Sequence, residues 1–158
     1  MEEVFHVAEN VYTYGEAANV CAALDAKLAN YDQVEEAHAQ GAEWCGYGWS
    51  EGQMAFYPTQ KSTWAALQAA STDPTKRAAC GRPGVNGGYM TNPDMKFGVN
   101  CYGVKPARGG RDLQSGAVAS GGGGGGGGDG GSSMASKYPR DKLRLQSFSR
   151  TEWSGVAP

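Results

Sequence analysis

No stretch of the 158-residue chain holds 18 consecutive apolar residues, so a membrane-spanning helix is excluded. Histidine is scarce, with only His6 and His38, and no Ser-His-Asp, Cys-His or paired-carboxylate arrangement emerges around them. Nucleophile-plus-base catalysis therefore has little to work with, and the reading is of a non-enzymatic chain. The four cysteines, at 21, 45, 80 and 101, never fall at the short Cys-x-x-Cys spacing of a zinc knuckle, and neither histidine stands near one. No metal and no cofactor are expected. Gly87-Gly88 and the eight glycines at 121–128 are not phosphate cradles, because neither is followed by Lys-Ser/Thr or a helix start. The net charge of −2 lacks the basic stripe that nucleic acid demands. Asn-x-Ser/Thr sequons are missing too.

What is present divides the chain in three. Residues 1–106 carry 12 acids against 7 bases, net −5, and all the cysteines; residues 107–158 carry 7 bases against 4 acids, net +3. Most of the 25 glycines lie late in the chain. This gives a folded domain over 2–106, a Gly-rich linker over 107–136 and a C-terminal segment over 137–158. The linker cannot bury a core and reads as a coil with a reach of about 30 Å. The last segment alternates Leu143, Leu145, Phe148 and Trp153 with polar residues. It is too short to fold alone, so these apolar groups need a surface, either on their own domain or on a partner.

Within the domain, Val4, Phe5 and Val7 read as a first strand. Thr13 and Glu16 have capping-box spacing. Ala17, Val20, Cys21, Leu24 and Leu28 follow as one apolar stripe of an amphipathic helix. Asp32-Gln-Val-Glu35 repeats the start signal for a helix Val34–Gln40, stopped by Gly41. His38 on that helix is expected at the surface or rim. Glu43–Trp49 alternates aromatic or Cys with small residues, as a strand does, and Gln53–Pro58 reads as another strand ended by its proline. Thr63–Ala70 is a short helix with Trp64 and Leu67 on its apolar face; Asp73-Pro74 opens a loop up to Cys80. The Cys80–Met90 run is dense with turn formers, and Lys96–Tyr102 closes the domain as a strand. Trp49 and Phe97 are expected in the core.

Two disulfides are the natural reading of the four cysteines, with three connectivities open at this point. Each would remove roughly 4 kcal/mol of unfolded-state entropy in the chain model. Disulfides suggest an oxidising compartment. Met-Glu-Glu-Val-Phe-His, however, has no basic n-region or apolar h-region. Either a leader was removed or the bridges form outside the secretory route. Exposed tyrosine beside a cation suits an acidic sugar, the ring stacking on a pyranose face and the cation meeting the carboxylate. Tyr57, Arg82 and Tyr89 are the candidate ligand residues.

The run Val4-Phe5-His6, Tyr14-x-x-Ala17-x-x-x-Cys21, Leu28-Ala29-x-Tyr31-x-Gln33, Cys45-x-x-Gly48-Trp49, Tyr57-Pro58, Cys80-Gly81 and Phe97-x-x-x-Cys101-Tyr102 resembles the Link domain, the hyaluronan-binding module of cartilage link protein and related proteoglycans. The likeness covers residues 4–102, and Ser62–Ala79 stands out as an insertion. It implies an α+β, C-type-lectin-like fold, with two helices packed on small antiparallel sheets. It also implies the bridges Cys21–Cys101 and Cys45–Cys80. Ligand positions carry over less well. Where hyaluronan-holding members have a basic residue and a tyrosine before the first helix, this chain has Glu9 and Asn10. Tyr57 is kept, Arg82 replaces an aromatic, and Tyr89 and Met90 stand near the late Tyr and Arg positions without matching their register.

Gly41–Ser50, Cys80–Tyr89 and Leu145-x-Ser-Phe-x-Arg-x-x-Trp-Ser154 are also similar to Link-like proteins of large double-stranded DNA viruses. That likeness implies a minor capsid or capsid-associated virion protein. In it, residues 137–158 dock on a neighbouring capsid subunit through Leu143, Leu145, Phe148 and Trp153. The alternative is an extracellular, secreted or surface lectin for cell adhesion, binding hyaluronan or another acidic polysaccharide.

Overall fold

The computed structural model describes residues 1–106, 143 and 145–146. Its elements are β1 (Glu2–Tyr12), α1 (Tyr14–Ala23), β2 (Lys27–Leu28), α2 (Tyr31–Ala39), β3 (Gly48–Ser50), β4 (Met54–Thr59), α3 (Lys61–Ala70), α4 (Pro74–Arg77), β5 (Gly84–Tyr89), β6 (Phe97–Val104) and β7 (Leu145–Gln146). The strands join into one sheet in the order β5-β4-β3-β6-β1-β7, with β2 also on β6. Every pairing is antiparallel except β3 beside β6. The fold is α+β with two disulfides, as a C-type-lectin-like domain has.

The last long strand of the domain is its centre. Phe97 through Cys101 are all buried on β6, which pairs with β1, β2 and β3. A strand buried on both faces has no use for alternating polarity, so Phe-Gly-Val-Asn-Cys reads as a nearly continuous apolar run. Trp49 and Phe97 lie in the core, at 0% and 9% exposure.

Helix α1 starts where the capping box placed it, the Thr13 N–H donating to Glu16 Oε1 at 2.9 Å. Its apolar stripe buries Ala17, Val20 and Cys21, and Cys21 is bonded to Cys101 of β6. Leu28 does not continue that stripe. The Leu24 and Ala26 N–H groups both close on Cys21 O, Asp25 takes φ 58, and the chain reverses, leaving Leu28 opposite Cys101 on β2. Aspartate is among the few residues that enter that left-handed region readily.

Helix α2 begins earlier than Val34. Its box is Asn30 with Gln33: the Gln33 N–H donates to Asn30 Oδ1 at 2.8 Å, and the Asn30 N–H to Gln33 Oε1 at 3.0 Å. Asp32 and Glu35 belong to the helix body. Gly41 follows the C-cap at φ 106, as a helix stop should. His38 is half-buried at the rim, its Nε2 2.9 Å from Thr59 O.

Glu43–Trp49 is not a strand along its length; only Gly48–Ser50 is. Trp44 instead turns inward to stack on His6, and Cys45 is tied to Cys80, so this loop is held by side chains rather than by a ladder. Pro58 does not end β4, because it pairs with Val85 and Thr59 adds one more rung. Asp73-Pro74 opens the one-turn helix α4 rather than a loop, with Asp73 Oδ1 accepting from the Thr75 N–H at 2.9 Å. The glycine-dense run after Cys80 forms the edge strand β5. The other edge of the sheet is covered from a distance: Leu145 pairs with Val7 and Gln146 with His6, and Leu143 is 4% exposed.

Candidate functional site

One face of the sheet carries a continuous row of rings. Tyr14 touches Trp49 (centroids 5.3 Å), Trp49 touches Phe97 (5.0 Å), Phe97 touches Tyr47 (5.1 Å) and Tyr47 meets Tyr57 edge-on (5.0 Å, 81°). The middle of the row is buried, and Tyr14, Tyr47 and Tyr57 emerge half-exposed at its two ends. Tilted and edge-to-face pairs of this kind hold ring positions rigidly. The Trp49 Nε1–H donates to Tyr12 O at 3.0 Å, and the Tyr14 N–H donates to Pro93 O at 2.9 Å, which fixes the first end.

The second end is a built corner. Gly81 sits at φ 74, and a Cβ there would lie 2.7 Å from Tyr57 Oη and 2.8 Å from the Asn86 side chain. Glycine is thus required both by conformation and by space. Asn86, opposite Tyr57 in the β4–β5 register, clamps the next residue: its Oδ1 accepts from the Arg82 N–H at 3.3 Å and its Nδ2 donates to Arg82 O at 2.8 Å. Cys80 beside them is bonded to Cys45 and accepts from Thr59 Oγ1 at 2.5 Å. The Arg82 backbone is therefore fixed one residue from Gly81, which lies against the hydroxyl end of Tyr57, and Arg82 is exposed.

The two ends differ in charge. Tyr12 is held above the usual phenol range by burial and then by the carboxylates of Glu9 and Glu16. Tyr57 is raised too, by burial first and by Tyr47 second. Glu9 occupies a register shift of β1 at φ 90, exposed, with exposed Asn10 beside it. An anion is disfavoured at the Tyr12 end and favoured by Arg82 at the Tyr57 end.

Of the three sugar candidates, Tyr57 and Arg82 come together. Tyr89 does not join them. It lies opposite Met54, three rungs and roughly 10 Å along the strand. There it is 62% exposed and accepts from Gln53 Nε2 at 3.4 Å. Sequence reasoning missed the clamp Asn86, and the rings Tyr14 and Tyr47 as parts of one row. Tyr47, two residues after a cysteine and two before Trp49, was the available signal. Half-buried Leu145 pairs with this chain's own β1 and Leu143 is buried in its core, whereas Phe148 and Trp153 lie outside the described residues.

Beneath the row is a buried polar cluster that the sequence did not announce. Asn100, fully buried on β6, donates through Nδ2 to Gly48 O (3.2 Å), Ser50 Oγ (3.1 Å) and Phe56 O (3.0 Å). Its Oδ1 faces His6 Nδ1 at 2.7 Å. Since that oxygen can only accept, His6 carries its proton on Nδ1. Stacked on Trp44 at 5.1 Å and wholly buried, His6 has its pKa lowered to about 4, desolvation outweighing the Asn100 bond. This cluster ties β1, β3, β4 and β6 together. Among the described residues, no group of three or more His, Cys, Asp or Glu is placed to hold a metal ion.

A rigid ring row, one exposed cation at a clamped corner and two staples define a lectin-like binding module. The chain belongs to the extracellular link domain family, whose model matches residues 3–102. That is a family of binding modules, and a two-disulfide member fits an extracellular or secreted setting. The cysteine pairs are the two that the resemblance implied.

Proposed function

We propose that this chain is a non-catalytic module that binds an acidic polysaccharide of the hyaluronan kind, with contacts concentrated at the Tyr57–Arg82 corner. The carrying observation is the two-way Asn86 clamp on Arg82 beside a tyrosine packed against Gly81. A clamped backbone lets a guanidinium meet a uronate carboxylate with little ordering cost, and charge-assisted bonds of this type are the stronger ones. Tyr47 and Tyr57 offer ring surface for the sugar beside that carboxylate. Glu9 and Asn10, where hyaluronan-holding members have a cation and a ring, shift the expected contacts away from the Tyr12 end. Calorimetry with hyaluronan oligosaccharides tests the reading. Binding that weakens roughly tenfold or more on Tyr57→Ala and on Arg82→Ala supports it; no binding, or binding indifferent to both changes, rejects it.

A second reading, a capsid-associated virion protein docking through residues 137–158, is opposed by one observation: Leu145 and Gln146 pair with this chain's own β1. Co-sedimentation with particles, lost on deleting 137–158, would favour it over the polysaccharide reading.

A further inference from the structure

The helix pair α3–α4 contributes nothing to the core, since neither helix has a buried residue. It is nevertheless held in place with care. Glu43 fastens the start of α3, its Oε2 accepting from the Gln60 N–H at 2.9 Å and its Oε1 from Thr63 Oγ1 at 2.8 Å. Gln60 Nε2 donates in turn to His38 O (2.9 Å) and Ala42 O (2.7 Å). The two helices are joined reciprocally: Arg77 Nε donates to Gln68 Oε1 at 3.0 Å, and Gln68 Nε2 donates to Arg77 O at 2.8 Å. The far end is stapled by Cys80 to Cys45.

What the pair does carry is charge. Residues 61–82 hold four bases (Lys61, Lys76, Arg77 and Arg82) against Asp73 alone, net +3. The rest of residues 1–106 holds three bases against eleven acids, net −8. All four bases are exposed, and none forms an ion pair among the described residues. An ordinary solvated face intersperses both signs. Here four of the seven bases of an acidic domain fall within 22 consecutive residues, three of them on the helix pair itself.

Lys61, Trp64 and Gln68 recur at i, i+3 and i+7, and so share one face of α3. Gln68 brings Arg77 to the end of that face. The outcome is a row of cation, half-exposed indole and cation, spanning roughly 10 Å of helix. An indole offers a pyranose ring a flat apolar surface, and flanking cations suit carboxylate or sulfate groups on neighbouring sugars.

We infer that Lys61, Trp64 and Arg77 form a second anionic-sugar subsite, engaged only by chains long enough to extend beyond the Tyr57–Arg82 corner. This deepens, and rests on, the polysaccharide reading. It also supplies positive charge that Glu9 and Asn10 do not.

Calorimetry on the full chain distinguishes the two claims, using a hyaluronan tetrasaccharide and dodecasaccharide, with a heparin dodecasaccharide to separate sulfate from carboxylate preference. Lys61→Gln and Arg77→Gln are expected to weaken a dodecasaccharide about tenfold each while leaving the tetrasaccharide unchanged. Tyr57→Ala and Arg82→Ala weaken both lengths. Lys61 is exposed and its side chain makes no hydrogen bond among the described residues, so an unchanged melting curve accompanies Lys61→Gln. Dodecasaccharide binding untouched by Lys61→Gln and Arg77→Gln, or equal losses at both lengths, would overturn the subsite and leave the corner standing. Failure of every oligosaccharide to bind overturns both.

Discussion

The side chain of Asn100 fills the space where a Cβ on Gly48 would be. The pairing of β3 with β6, Gly48 beside Gly98 and Trp49 beside Val99, thus depends on one residue having no side chain and the other having an amide.

Gly48→Ala and Asn100→Leu are therefore expected to damage the fold through the same cluster. Asn100→Leu strands the buried His6 Nδ1–H and takes a donor from the Gly48 and Phe56 carbonyls and from Ser50 Oγ, at about 1–3 kcal/mol for each group left unsatisfied. Denaturant unfolding should show a loss of 3 kcal/mol or more for either change, and a double mutant far from additive. Losses under 1 kcal/mol would refute the dependence.

His6 makes stability fall with acid. Its folded pKa, about 4, lies below the unfolded value of 6.5, so the unfolded chain takes up a proton first as pH drops. The contribution of neutral burial is whole above pH 6.5, declines from there, and is gone below about 4. The difference is on the order of 3 kcal/mol. Melting temperatures recorded across pH 7 to 4 should drop, and ring proton shifts of His6 should stay those of a neutral imidazole to near pH 4.

The two staples should part in order. Cys21 and Cys101 are fully buried, whereas Cys45 is exposed and Cys80 half-exposed. Mild dithiothreitol is expected to open Cys45–Cys80 first, loosening the Arg82 corner with the sheet intact. Cys21–Cys101 follows only on unfolding, at a cost of roughly 4 kcal/mol. Mass spectrometry after timed alkylation reads the order; simultaneous loss of both bridges would contradict it.

Leu143 is buried against its own domain and Leu145 half-buried beside Val7. Leu143→Asp should lower stability by about 2–4 kcal/mol. It should also raise amide hydrogen exchange in β1. An unchanged melting temperature after removing residues 137–158 would show that this contact contributes nothing.

Much of the framework was legible because its signals are local. The Thr13–Glu16 box, the Cys21 stripe, the Gly41 stop and the β4 and β6 runs each depend on residues a few positions apart. Leu28 misled because helical periodicity continued past a reversal set by Asp25, whose φ the apolar pattern does not encode. The Glu43–Trp49 alternation mimicked a strand, although Trp44 and Cys45 were chosen for a ring stack and a staple with distant partners. The corner was half legible. Tyr57 and Arg82 stand out as a ring and a cation, but Asn86 acts through a register between strands, and Tyr89 looks equivalent until that register places it elsewhere. Asn100 was hidden for the same reason, its partner His6 lying 94 residues away.

That separation governs how the molecule is made. The central strand of the sheet is also, among the described residues, the last long one to leave the ribosome, so β1, β2 and β3 emerge without the neighbour they pair with. Until Phe97–Val104 is synthesised, the first strand is an open edge carrying Val4, Phe5 and Val7. A chain with so many non-local pairings folds slowly and is exposed to misassociation while it waits. Truncation within Phe97–Val104 would leave an aggregating fragment rather than a smaller working module.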